Sequence, residues 1–143
     1  MTKTDGDTAR AAEIHDSFAR QGLMRTMDAR IDRIAPGRVL LSIPITPAID
    51  QQHGFAHAGA TFALGDSAAG YAALSLMEPG VEVLTVEMKV NLIAPAAGMR
   101  LIAEGEVVKP GRRLFVVRAT VRSEAEDGTL RDVALLQGTM IPA

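Results

Sequence analysis

Cysteine is absent from this chain, and that removes disulfides, thiolate catalysis and zinc–sulfur sites together. Aromatic residues make up only 3% of it, which argues against base stacking and against a sugar-binding platform. Neither charge is in surplus: 15 Lys and Arg stand against 17 Asp and Glu, a formal net charge of -2. Nothing in that balance favours nucleic acid or an anionic membrane as a partner. The opening residues, MTKTDGDTAR, lack the apolar core of a signal peptide, so a cytoplasmic location is the default expectation. At 143 residues, a single domain over 1–143 is expected. A domain of that size buries about 68–70% of its unfolded surface.

What the chain does contain is one long run of small apolar residues, QQHGFAHAGATFALGDSAAGYAALSLM, from Gln51 to Met77. It carries two of the three histidines at its front and one carboxylate, Asp66, in its middle. A membrane span can be tested by magnitude. An aspartate at a helix centre costs about 2.5–3.5 kcal/mol to insert, while Leu, Ile, Phe and Val each return only about 0.3–0.6. Between Ala58 and Met77 those four types appear only as Phe62, Leu64, Leu74 and Leu76. That sum does not insert, and the segment reads as a core helix over 57–78.

The remaining chain reads as strands around that helix. Residues 8–20 predict a short amphipathic helix, with Ala9, Ala12, Ile14 and Phe18 near one face and Gly22 as its stop; with the tail before it this makes up residues 1–20. Two strand-like runs follow, about Thr26 to Ala35 and Arg38 to Ile45, with Pro36-Gly37 as the turn. After the helix the hydrophobic period becomes two. Val86, Met88, Val90 and Leu92 alternate with Glu87, Lys89 and Asn91. Runs from Leu101, from Phe115 and over Val133–Ile141 follow, separated by Gly98, Pro110-Gly111 and Asp127-Gly128. Such alternation is the mark of an antiparallel sheet with one wet face. A helix apolar on every side is expected to be buried on every side, and one sheet achieves this by curling around it. Small residues (Gly59, Ala63, Gly70, Ala73) would let the sheet come close. The fold expected is α+β, a curled antiparallel sheet wrapped around a long central helix: a hotdog fold.

The run from Gln51 to Asp66 resembles the active-site segment of hotdog-fold acyl-CoA thioesterases of the PaaI-like family. That pattern is an Asn, then a Gly and a His-Gly-Gly opening the central helix, then an acidic residue about two turns on. TVEMKVNLIAPAAG looks like the family's following strand and GRRLFVVRATV like its next hairpin. The resemblance covers roughly residues 20–142. It places His57 at the motif histidine, Ala58 and Gly59 at the two glycines, Asp66 at the catalytic carboxylate, Gln51 at the Asn position and Thr85 at the hydroxyl position of the following strand. It implies hydrolysis of acyl-CoA to free acid and coenzyme A, with coenzyme A entering only as part of the substrate and with no metal or organic cofactor.

The residues support the same roles. A helix N-terminus presents unpaired N–H groups and partial positive charge, so the N–H of Ala58 or Gly59 is a candidate oxyanion donor. Asp66 can serve as nucleophile, giving a mixed anhydride, or as general base for water. Thr85 could orient that water, and His57 and Gln51 could hold the thioester or the departing thiolate. Each has a plainer alternative: His57 as a helix-end residue bonding a loop, Gln51 and Thr85 as ordinary loop and strand residues. Arg112 and Arg113 are candidates to grip coenzyme A phosphates, though hairpin arginines are commonly solvated. Met24, Met27, Met88 and Met99 read as core or acyl-pocket wall, and the scarcity of aromatics suggests an aliphatic pocket. Two other readings stand beside hydrolysis: a hotdog acyl-thioester dehydratase, and a non-catalytic acyl-CoA binder. Assembly follows from length. Asp66 lies eight residues beyond Ala58, about 12 Å along a helix, too far for both to reach one thioester carbon. A homodimer with antiparallel central helices, or a dimer of dimers, is therefore the expected self-partner.

Overall fold

The computed structural model describes residues 5–143, with side chains from residue 9 onward. Six antiparallel strands form one sheet: β1 (Arg30–Ala35), β2 (Arg38–Pro44), β3 (Val83–Leu92), β4 (Arg100–Lys109), β5 (Phe115–Glu124) and β6 (Leu130–Pro142). Their order across the sheet is β1-β2-β4-β5-β6-β3. The helices are α1 (Asp5–Ala19), α2 (Gly22–Thr26) and α3 (Ala58–Leu74), and α3 packs against β2 to β6. This is the expected hotdog architecture.

Period-two alternation places the core. Val39, Leu41 and Ile43 of β2, Leu101 and Ala103 of β4, and Val117, Ala119 and Val121 of β5 are all buried beneath α3. The closest approach is made by a strand glycine. A Cβ on Gly105 would lie 2.2 Å from the backbone carbon of Ala68, a separation no side chain tolerates, so only glycine lets β4 pass under the helix. At Gly70 a Cβ would meet ordinary contacts of 3.7 and 3.9 Å. Of the helix's own glycines it is Gly65, where a Cβ would stand 2.9 Å from the Leu136 side chain, that the sheet approaches most closely.

Several boundaries differ from expectation. Residues 1–4 of the N-terminal tail lie outside the described residues. Helix α1 buries Ile14 fully, but Ala9 and Ala12 are exposed and Arg10 is buried in their stead. Gly22 does not stop α1; it opens α2, which Met24 and Met27 pin to the core. The first strand therefore begins at Arg30, after Asp28 turns the chain at φ 55°. Helix α3 ends at Leu74, not at 78, where Ser75 caps it. Met99 is exposed rather than core.

The helix is also not buried on every side. From Ala68 to Leu74 each residue is buried, but Gly59, Phe62, Ala63 and Asp66 form a stripe that is open or half-open. Beside it runs β3, an edge strand whose Leu84 and Val86 are more than half exposed. The expected inward alternation of β3 holds for Met88 and Val90, which pack on the core. It fails at Val86, because the register slips between Thr85 and Glu87, and at Leu92, which is exposed where the strand ends. Among the described residues no helix is long and apolar enough to cross a membrane.

Candidate active site

That slip is what builds the site. A bulge inserts one extra residue and re-aims its neighbours. Opposite β6, Thr85 pairs with Met140 and Glu87 with Thr139, leaving Val86 unpaired. Residues inward of the bulge on the Val90 and Met88 side would otherwise continue to Val86; instead Thr85 turns toward α3. Its hydroxyl donates to Asp66 Oδ1 at 2.8 Å and touches Met140 Sδ at 3.2 Å. A hydroxyl has one proton, and the carboxylate is the stronger acceptor. Burial pushes the Asp66 carboxyl above the usual carboxylate range, and the Thr85 hydrogen bond pulls part of the way back by favouring the charged form. A half-buried carboxylate held in one orientation by one donor is suited to proton or acyl transfer.

The start of α3 is organised by His57. It takes the N-cap position with extended backbone (φ -63°, ψ 141°), and its Nδ1 accepts from the Gly59 N–H at 2.8 Å. An accepting Nδ1 places the proton of neutral imidazole on Nε2. A Cβ on Gly59 would stand 3.0 Å from that Nδ1, so glycine there makes room for the capping ring. The cap consumes the Gly59 N–H, one of the two candidate oxyanion donors. The other, on Ala58, bonds nothing among the described residues. His57 is thus a helix-end residue that caps its own helix rather than bonding a loop, and the Ala58 N–H is left as the unpaired donor.

His57, Ala58 and Gln51 line one cavity of about 570 Å³, walled further by Thr61, Ile93 and Pro95. Gln51 closes its own loop there: its side-chain oxygen accepts from the His53 N–H, and its backbone N–H bonds Phe55 O at 2.8 Å. Asp66 and Thr85 line a different cavity, of about 190 Å³, which shares no wall residue with the first. The structure thus brings Asp66 and Thr85 together, and Gln51, His57 and Ala58 together, but keeps the two groups apart within one chain. Arg112 and Arg113 are exposed in the β4–β5 turn and line neither cavity.

The smaller cavity also contains residues that sequence reasoning missed: Ser17, Gln21, Tyr71 and Met140. Its wall is mostly polar, whereas Phe55, Leu92, Ile93 and Ala94 make the larger cavity mostly apolar. One signal was available, because Tyr71 is the only tyrosine of the chain and lies five residues past Asp66. Among the described residues no cluster of three or more His, Cys, Asp or Glu is arranged to hold a metal.

Comparison with known proteins agrees with this architecture. A thioesterase family protein from Silicibacter pomeroyi superposes with a TM-score of 0.90 at 50% identity, over 93% of this chain and 97% of that one. The E. coli PaaI protein from the phenylacetic acid degradation operon shares the fold, with a TM-score of 0.83 at 20% identity over 96% and 95% of the two chains. By sequence, the chain is 25% identical to the 1,4-dihydroxy-2-naphthoyl-CoA hydrolase of Listeria monocytogenes over 105 residues, 73% of this chain and 85% of that protein. The family model of the thioesterase superfamily matches residues 53–129, a span that holds the capped start of α3, Asp66 and Thr85, and the chain therefore belongs to the thioesterase superfamily.

Proposed function

We propose that the protein hydrolyses acyl-CoA thioesters to a free carboxylic acid and coenzyme A, with Asp66 as the reacting carboxylate. The observation that carries this reading is the Thr85–Asp66 pair, a partly desolvated carboxylate aimed by a hydroxyl on the one helix that also offers an unpaired N–H at its start. A relative named as a naphthoyl-CoA hydrolase supports the thioester class.

The chemistry follows from these groups. The thioester oxygen accepts from the Ala58 N–H, which becomes more favourable as the oxygen gains negative charge. Asp66 either attacks the carbonyl carbon, giving a mixed anhydride that water opens, or takes a proton from water as it attacks. In both routes the C–S bond breaks and coenzyme A departs as the thiolate, which is protonated to the thiol by the proton that the attacking water gives up. The His57 Nε2–H and the Gln51 amide face the same cavity as Ala58 and are suited to hold the substrate or the leaving sulfur.

The site is shared between two chains in this reading. The eight residues from Ala58 to Asp66 span about 12 Å of helix axis, and the two cavities have no wall in common. Antiparallel pairing of two α3 helices sets Asp66 of one protomer beside the Ala58 N–H of its partner and makes two equivalent sites. The open stripe of α3 and the exposed Leu84 and Val86 on edge strand β3 supply an apolar surface for that pairing. The first test is thiol release from a panel of acyl-CoAs. Wild-type protein is expected to turn over at least one of them and Asp66→Asn none, and equal rates in the two would overturn the assignment.

A further inference from the structure

The cavity around Asp66 is polar beyond what hydrolysis requires. Gln21 stands at the N-cap of α2, yet its side chain makes no capping bond. Its Nε2 instead reaches across to donate to Tyr71 Oη at 2.7 Å. With that oxygen accepting from Gln21, the phenol proton is free to go to Ser17 Oγ, 3.1 Å away. The Tyr71 ring is buried and set edge-on to Phe18, with centroids 6.2 Å apart. Arg10 pins α1 over this corner, donating from Nε to Leu74 O and from Nη2 to Val81 O, both at 3.1 Å. The cluster is therefore held from both sides.

One atom of it is left over. Gln21 Oε1 has no hydrogen-bond partner among the described residues, and no buried side-chain oxygen or nitrogen goes unsatisfied. Gln21 lines the Asp66 cavity, and its carbonyl oxygen, neither bonded nor buried, is open to a hydrogen-bond donor. Tyr71 is five residues past Asp66, about 7.5 Å further along the helix axis. An extended six-carbon acyl chain attached at Asp66 covers that distance. If its far end were a methyl group, binding would strip water from Gln21 Oε1 and replace it with nothing, which costs free energy. A hydroxyl at the same point makes the bond. A carboxylate at the same point has no proton to offer an amide oxygen and shares the cavity wall with Glu82, whose charge Arg20 meets only at 3.8 Å, so it gains no bond there.

We propose that Gln21, backed by Tyr71 and Ser17, is the specificity-determining residue of this enzyme, and that it selects acyl groups with a hydroxyl at their far end. The proposal rests on the hydrolase reading and adds its substrate class. It also divides labour along the chain. Asp66, Thr85 and the capped helix start lie within residues 53–129 that match the superfamily, whereas Ser17 and Gln21 lie outside them. The shared core supplies the reaction and the N-terminal segment supplies the selection.

The test compares three coenzyme A thioesters of equal chain length: 6-hydroxyhexanoyl, hexanoyl and adipyl. Wild type is expected to show a kcat/KM about tenfold higher for the hydroxylated chain than for hexanoyl, with adipyl lowest. In Gln21→Leu the hydroxyl preference is expected to collapse to near unity, and Tyr71→Phe is expected to reduce it. A cluster that only ties α1 to α3 would lower both rates together and leave their ratio untouched, so the ratio is the decisive readout. Should Gln21→Leu fold poorly by thermal melt, the Tyr71→Phe ratio decides. A wild-type enzyme that treats hexanoyl and 6-hydroxyhexanoyl alike, prefers hexanoyl, or turns over neither while hydrolysing other acyl-CoAs overturns the proposal. Absence of thiol release from every acyl-CoA, or an active Asp66→Asn, would instead defeat the hydrolase reading beneath it.

Discussion

The two halves of α3 are built from the same small apolar residues and live in different surroundings. From Ala68 to Leu74 every residue is buried against the sheet, with Gly105 of β4 pressed to the Ala68 backbone. From Ala58 to Ser67 only Thr61, Leu64 and Gly65 are buried, and the rest of that half carries the unpaired N–H, the aimed carboxylate and a half-open apolar stripe. Alanine and glycine permit close packing but do not demand it. What decides between the halves is the strand laid beside each one. One half is there to be packed and the other to be approached.

The sharpest way to break that contrast is to alter one charge in the open half. Asp66→Asn should reduce turnover by about 10²–10⁴-fold or more, without weakening the fold. The sign follows from linkage. Burial raises the folded-state pKa of Asp66, so its ionised form costs stability above that pKa, and the cost disappears as pH falls through it. At neutral pH the Asn variant should therefore melt no lower than wild type, and acidification should narrow the gap from the wild-type side. A variant that lost activity and stability together would make Asp66 a packing residue.

The packed half should fail in the opposite way. Gly105→Ala forces a methyl group into the Ala68 backbone, and overpacking of this kind costs about 1–3 kcal/mol or more. A large fall in melting temperature is expected, with residual activity tracking the folded fraction. An unshifted melt would mean that β4 and α3 are not in contact as described.

Subunit sharing sharpens the comparison further, because the open half is proposed to need a partner. Proline is well accepted at the first position of a helix, and the extended backbone of His57 suits the residue before a proline. Ala58→Pro thus deletes the proposed donor with little damage. Mixing it with Asp66→Asn chains should restore one working site of two per mixed dimer, from two inactive parents. Subunit exchange without recovered turnover would refute the shared site.

Smaller effects should separate aiming from chemistry. Thr85→Val removes the hydrogen bond that favours ionised Asp66, so the acid limb of the pH–kcat/KM profile should move to higher pH, with a loss of about tenfold or less near neutrality. An unmoved limb would mean that another group sets it. Arg112→Ala with Arg113→Ala, in the exposed β4–β5 turn, should change KM by a few-fold at most, since solvated charges contribute about 0–1 kcal/mol. A large effect on kcat there would place those arginines nearer the reaction than either cavity does.

Most of the fold was legible from one dimension. Period-two runs marked the inward faces of β4 and β5 and the strand-like runs located β2 and β6, and the apolar run with its lone aspartate marked the helix, because side-chain alternation and helix hydrophobicity are local properties. Asp66, His57 and Ala58 could be singled out from the resemblance of their motif, from the unpaired N–H groups of a helix start and from the oddity of a carboxylate in an apolar helix. Thr85 could be named, but not its pairing with Asp66, since that depends on a bulge at Val86 that no local pattern announces. Nor could sequence show that the His57 ring consumes the Gly59 N–H and leaves Ala58 unpaired, or that the second half of the cavity wall comes from Ser17 and Gln21, some fifty residues away from Tyr71 in the chain. The sequence alone determined the central helix, most of the strands and the position of its lone carboxylate, all of which follow from short-range periodicity and the cost of burying charge. Only the tertiary structure decided which donor aims the carboxylate, which N–H stays unpaired and what lines the cavity beside Asp66, because those depend on where distant segments come to rest against one another.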